Sequence, residues 1–489
     1  MTKKRTKIVA TISDLRCDVE FIKSLYNEGI NVVRMNSAHM TEEGFLQVIT
    51  NTRAVSKHIG IMMDTKGPEI RTTKTATGEK IIVKTGDKLK VIGDIDSLST
   101  PEQVSVSYPS IVADVPVGKI LLIDDGETAL KVIDKTNEYL LCEVQNNGTI
   151  GSRKSVNIPG VKISLPSITE KDKKCIELAI KFDADFIAHS FVRNREDVLA
   201  VQKILDKHNS GMKIIAKIEN QEGVDNIDEI FQTAYGVMVA RGDLGIEVPQ
   251  EKIPGIQRLL IRKAIEYKKP VIVATQMLHT MIENPRPTRA EVADIANAVF
   301  YGTDAVMLSG ETAYGKYPIE AVRTMAQVAA AAEESILEEK AIPVPFTDEE
   351  YDRTSFLAKQ AVKSASRIGV QAIITDSVSG RTARTLAAFR SKCPVYAFCY
   401  EERVARHLSV CYGVDAVYQS STGMTTNKHK EYFLKALISL TESNKIKKDD
   451  LVAYLSGAFT DGMGGTSFLE IETAGKVIDA GTRYFVPVD

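Results

Sequence analysis

Lys217 and Glu219 stand two residues apart in Lys213-Ile-Ile-Ala-Lys-Ile-Glu219, and Asp243 closes a second run, Val237-Met-Val-Ala-Arg-Gly-Asp243. Each run is apolar and β-rich, as a strand buried on both faces should be, and each breaks off in charge. An ammonium and two carboxylates at neighbouring strand ends suit a divalent cation that holds an anionic substrate. Mg²⁺ takes one or two carboxylates and draws its remaining ligands from water and substrate oxygens. The lysine would then neutralise charge developing on the substrate.

Other apolar runs end in the same way. Arg34, Asn36, Ser37 and His39 close one; Asp64, Thr65 and Lys66 close another, with Glu69 and Arg71 just beyond. Ser190, Phe191 and Arg193 follow a third, Thr275 and Gln276 a fourth, and Ser309 and Glu311 a fifth. Any one of these residues alone reads better as a structural ion pair or a cap; the repetition is harder to ascribe to packing. Arg34, Arg71, Lys217 and Arg241 against Glu219 and Asp243 indicate a polyanionic substrate bridged by metal. Phosphoryl transfer relies on positioning and charge neutralisation more than on covalent help from the protein. Gly242-Asp-Leu-Gly245 could open a short helix whose free N–H groups receive a carboxylate or phosphate. No Gly-x-x-x-x-Gly-Lys-[Ser/Thr] is present, so a P-loop is excluded, and no Ser-His-Asp or thiol–imidazole pattern stands out.

The elements that must position these groups are legible up to about residue 340. Outside residues 71–165, eight short apolar runs recur: Lys7–Ile12, Asn31–Met35, Gly60–Met63, Asp185–His189, Lys213–Ile218, Gly236–Ala240, Pro270–Ala274 and Asp304–Leu308. Helical periodicity follows most of them, in Phe21–Tyr26, Lys171–Ile180, Glu196–Leu205, Lys252–Tyr267 and Thr288–Phe300. Thr288-Arg-Ala-Glu291 reads as a capping box. Eight βα units in this length predict a (β/α)₈ TIM barrel whose active face lies at the carboxyl ends of the strands. A doubly wound open sheet is the alternative, weakened by the lack of Gly-x-Gly-x-x-Gly. The expected division is barrel over 1–70 and 166–345, an inserted small β-barrel lid over 71–165, and a C-terminal α/β domain over 350–489. Lys80–Lys84, Lys88–Ile92, Lys119–Ile123, Thr128–Ile133 and Tyr139–Val144 carry the insert, which would overhang the active face. Glu338–Glu350 reads as a linker. Ala372–Thr375, Pro394–Phe398, Ala416–Tyr418 and Leu451–Leu455 are the strands of the last domain, with two further β-rich stretches, Ser467–Glu472 and Thr482–Val488.

The chain of 489 residues has a net charge of −2 and 44 % apolar residues, which gives no reason to expect nucleic acid or a membrane surface. No apolar run reaches the ~18–20 residues of a membrane helix. The basic opening Met1–Arg5 runs straight into a strand without the apolar core of a signal peptide, and six scattered cysteines lack CxxC spacing, so a reduced, cytoplasmic setting is expected. In the last domain, Thr375-Asp-Ser-Val-Ser-Gly-Arg-Thr382 follows a strand and opens a helix, as a phosphate site does. Gly462-Met-Gly-Gly-Thr466 is a loop that could close over the same ligand. A capped helix and a plain turn explain both equally well.

Taken together, the motifs resemble those of the pyruvate kinase family, in family order: Asp64-Thr-Lys-Gly-Pro-Glu-Ile-Arg71, Lys217-Ile-Glu-Asn220, Ala240-Arg-Gly-Asp-Leu-Gly245, Ala274-Thr-Gln-Met277, Pro287-Thr-Arg-Ala-Glu-Val292 and Met307-Leu-Ser-Gly-Glu-Thr-Ala313. The resemblance implies transfer of phosphate from phosphoenolpyruvate to ADP, giving ATP and pyruvate. It places Mg²⁺ or Mn²⁺ on Glu219 and Asp243. It gives Lys217 the charge on the transferring group and the enolate, Arg34 the phosphate, and Arg71 and Lys154 the nucleotide phosphates. The backbone of Arg241, Gly242 and Asp243 would take the substrate carboxylate, with Thr275 capping it. Thr275 and Ser309 would serve proton delivery. Asn36, Asp64 and the Thr65 carbonyl would hold K⁺. Thr375, Ser377, Ser379, Gly380, Arg381, Thr382 and Gly464 would bind an effector, a sugar phosphate or a nucleotide. The family also implies a homotetramer.

Two departures matter. The family pattern Arg-x-Asn-Phe-Ser-His is here Arg34-Met-Asn-Ser-Ala-His39, so Ala38 replaces a serine of the cation site. Ser37 would point to the opposite side of an extended strand, leaving a weakened or water-completed K⁺ site. Thr11-Ile-Ser-Asp-Leu-Arg16 departs from the usual Thr-Ile-Gly-Pro-x-Ser, so no nucleotide contact is assigned there. A barrel lyase or aldolase acting through a metal enolate, and a catalytically silent effector sensor, are the competing readings.

Overall fold

In the computed structural model, eight strands close a barrel: β1 Lys7–Thr11, β2 Val32–Asn36, β3 Gly60–Asp64, β4 Phe186–His189, β5 Lys213–Ile218, β6 Gly236–Ala240, β7 Val271–Ala274 and β8 Ala305–Leu308. The structure describes residues 4–38, 40–336, 352–420, 428–457 and 466–485. Neighbouring strands pair in parallel all the way round, β8 returning to β1. The runs lack polar alternation because both faces are buried. Val9, Val32, Met62, Phe186, Ala188, Ile215, Met238, Ile272 and Met307 form one layer. Their sequence neighbours Ile8, Val33, Ile61, Ile187, Ile214, Val237, Val273 and Val306 pack in another, against the helices. Period-two alternation carries the inner face upward to Thr11, Arg34, Asp64, Ser190 and Lys217. This alternation is how an apolar strand delivers a charged side chain to the mouth.

Helix boundaries follow their caps. Thr288 accepts from the Glu291 N–H while the Glu291 side chain accepts from the Thr288 N–H, the expected capping box at the start of Arg289–Phe300. Thr169 and Asp172 make a second one at Glu170–Lys181. Asp172 does more than cap, since its Oδ1 accepts from the backbone of Lys66 and Gly67 at 3.0 and 3.1 Å. It thereby fixes the turn from β3 toward the insert. Gly67 in that turn has φ +74, and a Cβ there would meet Phe191 and Ser190 at 2.8 and 2.9 Å. The segment after β2, which carries no sequence assignment above, is a helix, Glu42–Val55, capped by Thr41.

The insert consists of a six-stranded sheet and a two-stranded one around a shared core that includes Leu89, Val104, Leu121, Leu130 and Cys142. The chain enters and leaves it side by side. Val156 N–H donates to Ile70 O and Thr72 N–H to Lys154 O, each at 2.8 Å. The last domain is a five-stranded sheet in the order Val414–Tyr418, Val395–Cys399, Ala372–Ser377, Leu451–Gly457, Thr466–Thr473, the last strand antiparallel. One expectation is corrected here. Thr482–Val488 is not a β stretch, because Ala474–Phe485 is a helix and residues 486–489 lie outside the described residues. Buried Ala474 and Ile478 fall on one helical face, and Gly481 lets Leu434 of the helix Lys428–Glu442 approach closely; this packing overrides the aromatic and β-branched composition of the segment. The expected linker 338–350, His39 and Gly464 also lie outside the described residues.

Candidate active site

Lys217 is buried at the end of β5 with its Nζ 2.9 Å from Glu219 Oε1, 3.1 Å from Asp64 Oδ1 and 2.7 Å from Ser190 Oγ. Ser190 passes its own hydroxyl hydrogen to the Thr65 carbonyl at 2.7 Å. Asp64 is also gripped by Arg34, whose Nε and Nη2 lie 2.7 and 2.6 Å from Oδ2, while Arg34 Nη1 donates to Thr11 Oγ1 at 3.0 Å. Glu219 Oε2 accepts from the Phe191 N–H at 2.6 Å, and Phe191 takes φ +55 to present it. Sequence reasoning placed Ser190 on this face without giving it a role, and assigned Thr11 none. Position i+2 from inward-facing Ala188 was the signal for Ser190.

Charge is unevenly compensated. Burial opposes ionisation of Asp64, but Arg34 and then Lys217 hold its carboxyl below the usual range. Burial likewise works against the Lys217 ammonium, yet Asp64 and Glu219 outweigh it and raise its pKa. Glu219 is left short of positive charge: burial lifts it to about 7 against the pull of Lys217, and nearby Asp243 adds to the rise. A divalent cation held by Glu219 and Asp243 would relieve that imbalance. Asp243 lies in the first turn of Arg241–Glu247 and makes no hydrogen bond or ion pair among the described residues. No group of three His, Cys, Asp or Glu converges among the described residues. Two carboxylates and ample room for substrate oxygens fit Mg²⁺ or Mn²⁺ better than a metal needing a full protein cage.

Beside them, Thr275 caps the helix Arg241–Glu247. Its Oγ1 accepts from the Gly242 N–H at 2.8 Å and donates to Ala274 O at 2.6 Å. A β-branched residue at φ +70 is rare, and Gln276 follows at +55. Strain of this kind persists where the surroundings over-determine it. The Arg241 side chain turns away from the mouth. Its guanidinium is 2.8 and 2.6 Å from the Asp294 carboxylate and donates to the Thr275 carbonyl at 2.5 Å. Asp294, which sequence reasoning missed, thus holds the Arg241 side chain and leaves only the Arg241 backbone toward the mouth. Ser309 N–H donates to Glu311 Oε2 at 2.7 Å, and Glu311 Oε1 accepts from Leu278 N–H at 3.1 Å, so Glu311 ties the ends of β7 and β8 together.

Across the mouth lies a cleft of about 730 Å³ between barrel and insert, lined by Arg71, Asp124, Lys154, Phe191, Asp243 and Glu247 among others. Arg71 is held by Glu69 at 2.6 Å and by the Arg153 carbonyl at 2.7 Å. Lys154 reaches Asp124 at 2.9 Å. Around Asp64, Asn36 Oδ1 accepts from the Ala38 N–H at 3.0 Å. Ser37 is buried beside Cys175 of Glu170–Lys181, on the helix side of the strand. It does not stand in for the serine that Ala38 replaces. The effector candidates are less uniform. Ser377 Oγ accepts from the Gly380 N–H at 2.9 Å, Gly380 has φ +78, and Ser379, Arg381 and Thr382 follow at the start of Arg381–Ala388. Thr382 and Thr466 hydroxyls are 2.8 Å apart. Thr375, by contrast, lies fully buried between Ala397 and Leu455 inside the sheet, so its side chain faces no ligand.

A closed parallel barrel with two metal-ready carboxylates, a buried lysine and an overhanging β insert defines a barrel enzyme that handles anionic substrates at the carboxyl ends of its strands. Comparison with known proteins narrows the class. The family described as pyruvate kinase, barrel domain, matches residues 3–322, and pyruvate kinase, alpha/beta domain, matches residues 356–472. A pyruvate kinase of Borreliella burgdorferi is 47 % identical over 98 % of this chain and 99 % of its own length. That of Geobacillus stearothermophilus is 42 % identical over 98 % of this chain and 82 % of its own. A crystal structure of a pyruvate kinase from Cryptosporidium parvum superposes with a TM-score of 0.89 at 37 % identity, covering 97 % of both chains. The chain belongs to the pyruvate kinase family. No helix among the described residues is long and apolar enough to cross a membrane.

Proposed function

We propose that the protein transfers the phosphoryl group of phosphoenolpyruvate to ADP, giving ATP and pyruvate, as a glycolytic enzyme of the cytoplasm. The observation that carries this reading is the Lys217–Glu219–Asp64 cluster at the barrel mouth beside a cleft whose lining joins Asp243 to Arg71 and Lys154. Arg34 and Lys217 grip the phosphoryl group, and the P–O bond to the enolate oxygen breaks as a nucleotide oxygen attacks from the Arg71 and Lys154 side. Lys217, held charged by its two carboxylates, stabilises the enolate oxygen. The backbone of Arg241, Gly242 and Asp243 receives the substrate carboxylate, and Thr275 must release the Gly242 N–H to it. Thr275 and Ser309 flank the face from which the enolate carbon takes its proton. The insert closes as a lid and excludes water. Glu219 and Asp243 would hold Mg²⁺ or Mn²⁺, which when bound neutralises charge on the transferring group. Asn36, Asp64 and the Thr65 carbonyl would hold K⁺ in a site weakened at Ala38. Ser377, Ser379, Gly380, Arg381 and Thr382 form a loop suited to a phosphorylated effector, a sugar phosphate or nucleotide, in a homotetramer.

Phosphorus NMR of the purified protein with phosphoenolpyruvate, ADP and Mg²⁺, with and without K⁺, tests the reading. ATP formed only with K⁺ supports both the reaction and the cation site. ATP formed without K⁺ keeps the reaction and removes that site. No ATP under either condition, with sugar phosphates added, returns the choice to a lyase or a sensor.

A further inference from the structure

The base of the barrel meets the C-terminal domain through matched charges on both flanks. Arg406 lies 2.6 Å from Asp185 and 2.9 Å from Asp183, and Arg390 lies 2.9 Å from Asp304. Between these flanks is a cavity of about 420 Å³ in which the matching fails. That volume falls within the ~300–1,000 Å³ usual for small-molecule sites. Lys213, Lys268, Lys269, Arg381 and Arg384 line it, and Asp352 is its one carboxylate among the described residues. Asp352 is engaged by Lys268 at 2.6 Å.

Of the others, Lys213, Lys269 and Arg384 meet no carboxylate among the described residues. The Lys213 ammonium makes no hydrogen bond or ion pair among the described residues, its backbone N–H alone donating to the Asp185 carbonyl at 3.0 Å. Lys269 has the Ala234 carbonyl at 2.5 Å, and Arg384 lies over the Tyr235 ring at 4.8 Å and donates to Ser379 O at 3.4 Å. All three are half-buried. Burial, and then Arg384, pull the Lys269 ammonium down to about 8 and lower Lys213 as well. Like charges held together out of bulk water are costly unless an anion joins them.

We propose that this cavity binds a phosphate monoester, and that the bound anion fastens the C-terminal domain to the base of β5, β6 and β7. Lys213 opens β5, Tyr235 precedes β6 and Lys269 precedes β7. The far ends of the same three strands bear Lys217 and Glu219, then Arg241–Asp243, then Thr275. The anion therefore acts on the strands that carry the proposed chemistry. This coupling rests on the phosphotransfer reading, whereas the binding itself does not. The site is separate from the Ser377–Thr382 loop, although Arg381 borders both.

Thermal unfolding and calorimetry of the full-length protein with inorganic phosphate, and with glycerol 2-phosphate as a monoester, test binding. Both probes should raise the midpoint of the wild type, because a ligand of the native state stabilises it. Lys213→Met and Arg384→Met should melt no lower than wild type in phosphate-free buffer and should lose the response, while Ser379→Ala keeps it. A probe response that survives intact in both variants locates the anion elsewhere, for example at Arg34 and Lys217, and overturns the site. Absence of any response in the wild type does the same. For coupling, glycerol 2-phosphate should lower the half-saturating phosphoenolpyruvate concentration at least threefold in wild type and leave Lys213→Met unchanged. Binding without that shift overturns the coupling alone. An enzyme inactive under all conditions would defeat the phosphotransfer reading and leave the binding result standing.

Discussion

Lys217 touches three acceptors at once, and each ties it to a different strand end: Asp64 on β3, Ser190 after β4 and Glu219 after β5. Lys217→Met removes the ammonium and keeps the length of the stem, so phosphoryl transfer should fall by at least ~10³, the loss typical of a transition-state charge partner. Mn²⁺ binding, followed by electron paramagnetic resonance, should be largely spared because both carboxylates remain. A rate within tenfold of wild type would remove Lys217 from its role. The proposed cation site allows a gain-of-function test. Ala38→Ser restores a hydroxyl next to Asn36, whose Oδ1 already meets the residue-38 N–H. The K⁺ concentration for half-maximal rate should drop by roughly tenfold, equivalent to ~1.4 kcal/mol, one charge-assisted contact. An unchanged K⁺ requirement would show that Ala38 costs the site nothing.

At the scale of elements, the strands were easy to read because burial on both faces makes them apolar throughout, and their charged ends mark the mouth. The partners that orient those ends were harder. Asp172 caps a helix and also fixes the Lys66–Gly67 turn, and Asp294 locks Arg241; both contacts join elements far apart in sequence, where local patterning has no reach. The expectation of a β stretch at Thr482–Val488 failed for a related reason: the apolar face of the helix Ala474–Phe485 is defined by the helix Lys428–Glu442 that it meets, not by its own composition. β4 also carries a group whose burial sets a pH response. His189 is fully buried, neither ring nitrogen has a hydrogen-bond partner among the described residues, and burial lowers its pKa to about 4 despite Asp197 and Asp172. Below about pH 6.5 the unfolded chain takes up a proton at this histidine that the folded chain refuses. Its contribution is therefore fully present above pH 6.5 and is lost as pH falls toward 4, by about 3 kcal/mol. His189→Leu should flatten the acid limb of urea stability by that amount and leave the limb above pH 7 parallel to wild type. An acid limb as steep as that of wild type would place the proton uptake on other groups.

For the whole molecule, the seam between barrel and C-terminal domain turns on a few buried arginines. Asp185 receives Arg406 from the C-terminal domain, and Arg53 at 2.8 Å and the Ile61 N–H at 2.8 Å from the barrel. Arg406→Met leaves that carboxylate with two of its three partners, so stability should drop by about 3 kcal/mol, the low end for a broken buried pair. Guanidinium unfolding should then split into two transitions as the domains part company. A single transition at the wild-type midpoint would show that the seam is held by its apolar contacts.

The attachment of the insert also shapes how the chain reaches this fold. β3 must find β4, yet residues 65–185 lie between them, and closing so long a loop is slow before any contact rewards it. The insert shortens that search. Half of its strand pairings join near neighbours, and once the insert has formed Ile70 and Val156 lie one hydrogen bond apart. The two halves of the barrel then meet as though a short turn joined them. A cavity in the insert, Leu130→Ala, should slow refolding in stopped-flow experiments by at least tenfold while leaving the unfolding arm nearly unchanged. The segment proposed as a lid over the substrate thus also serves, during folding, as the clasp that brings a split barrel together.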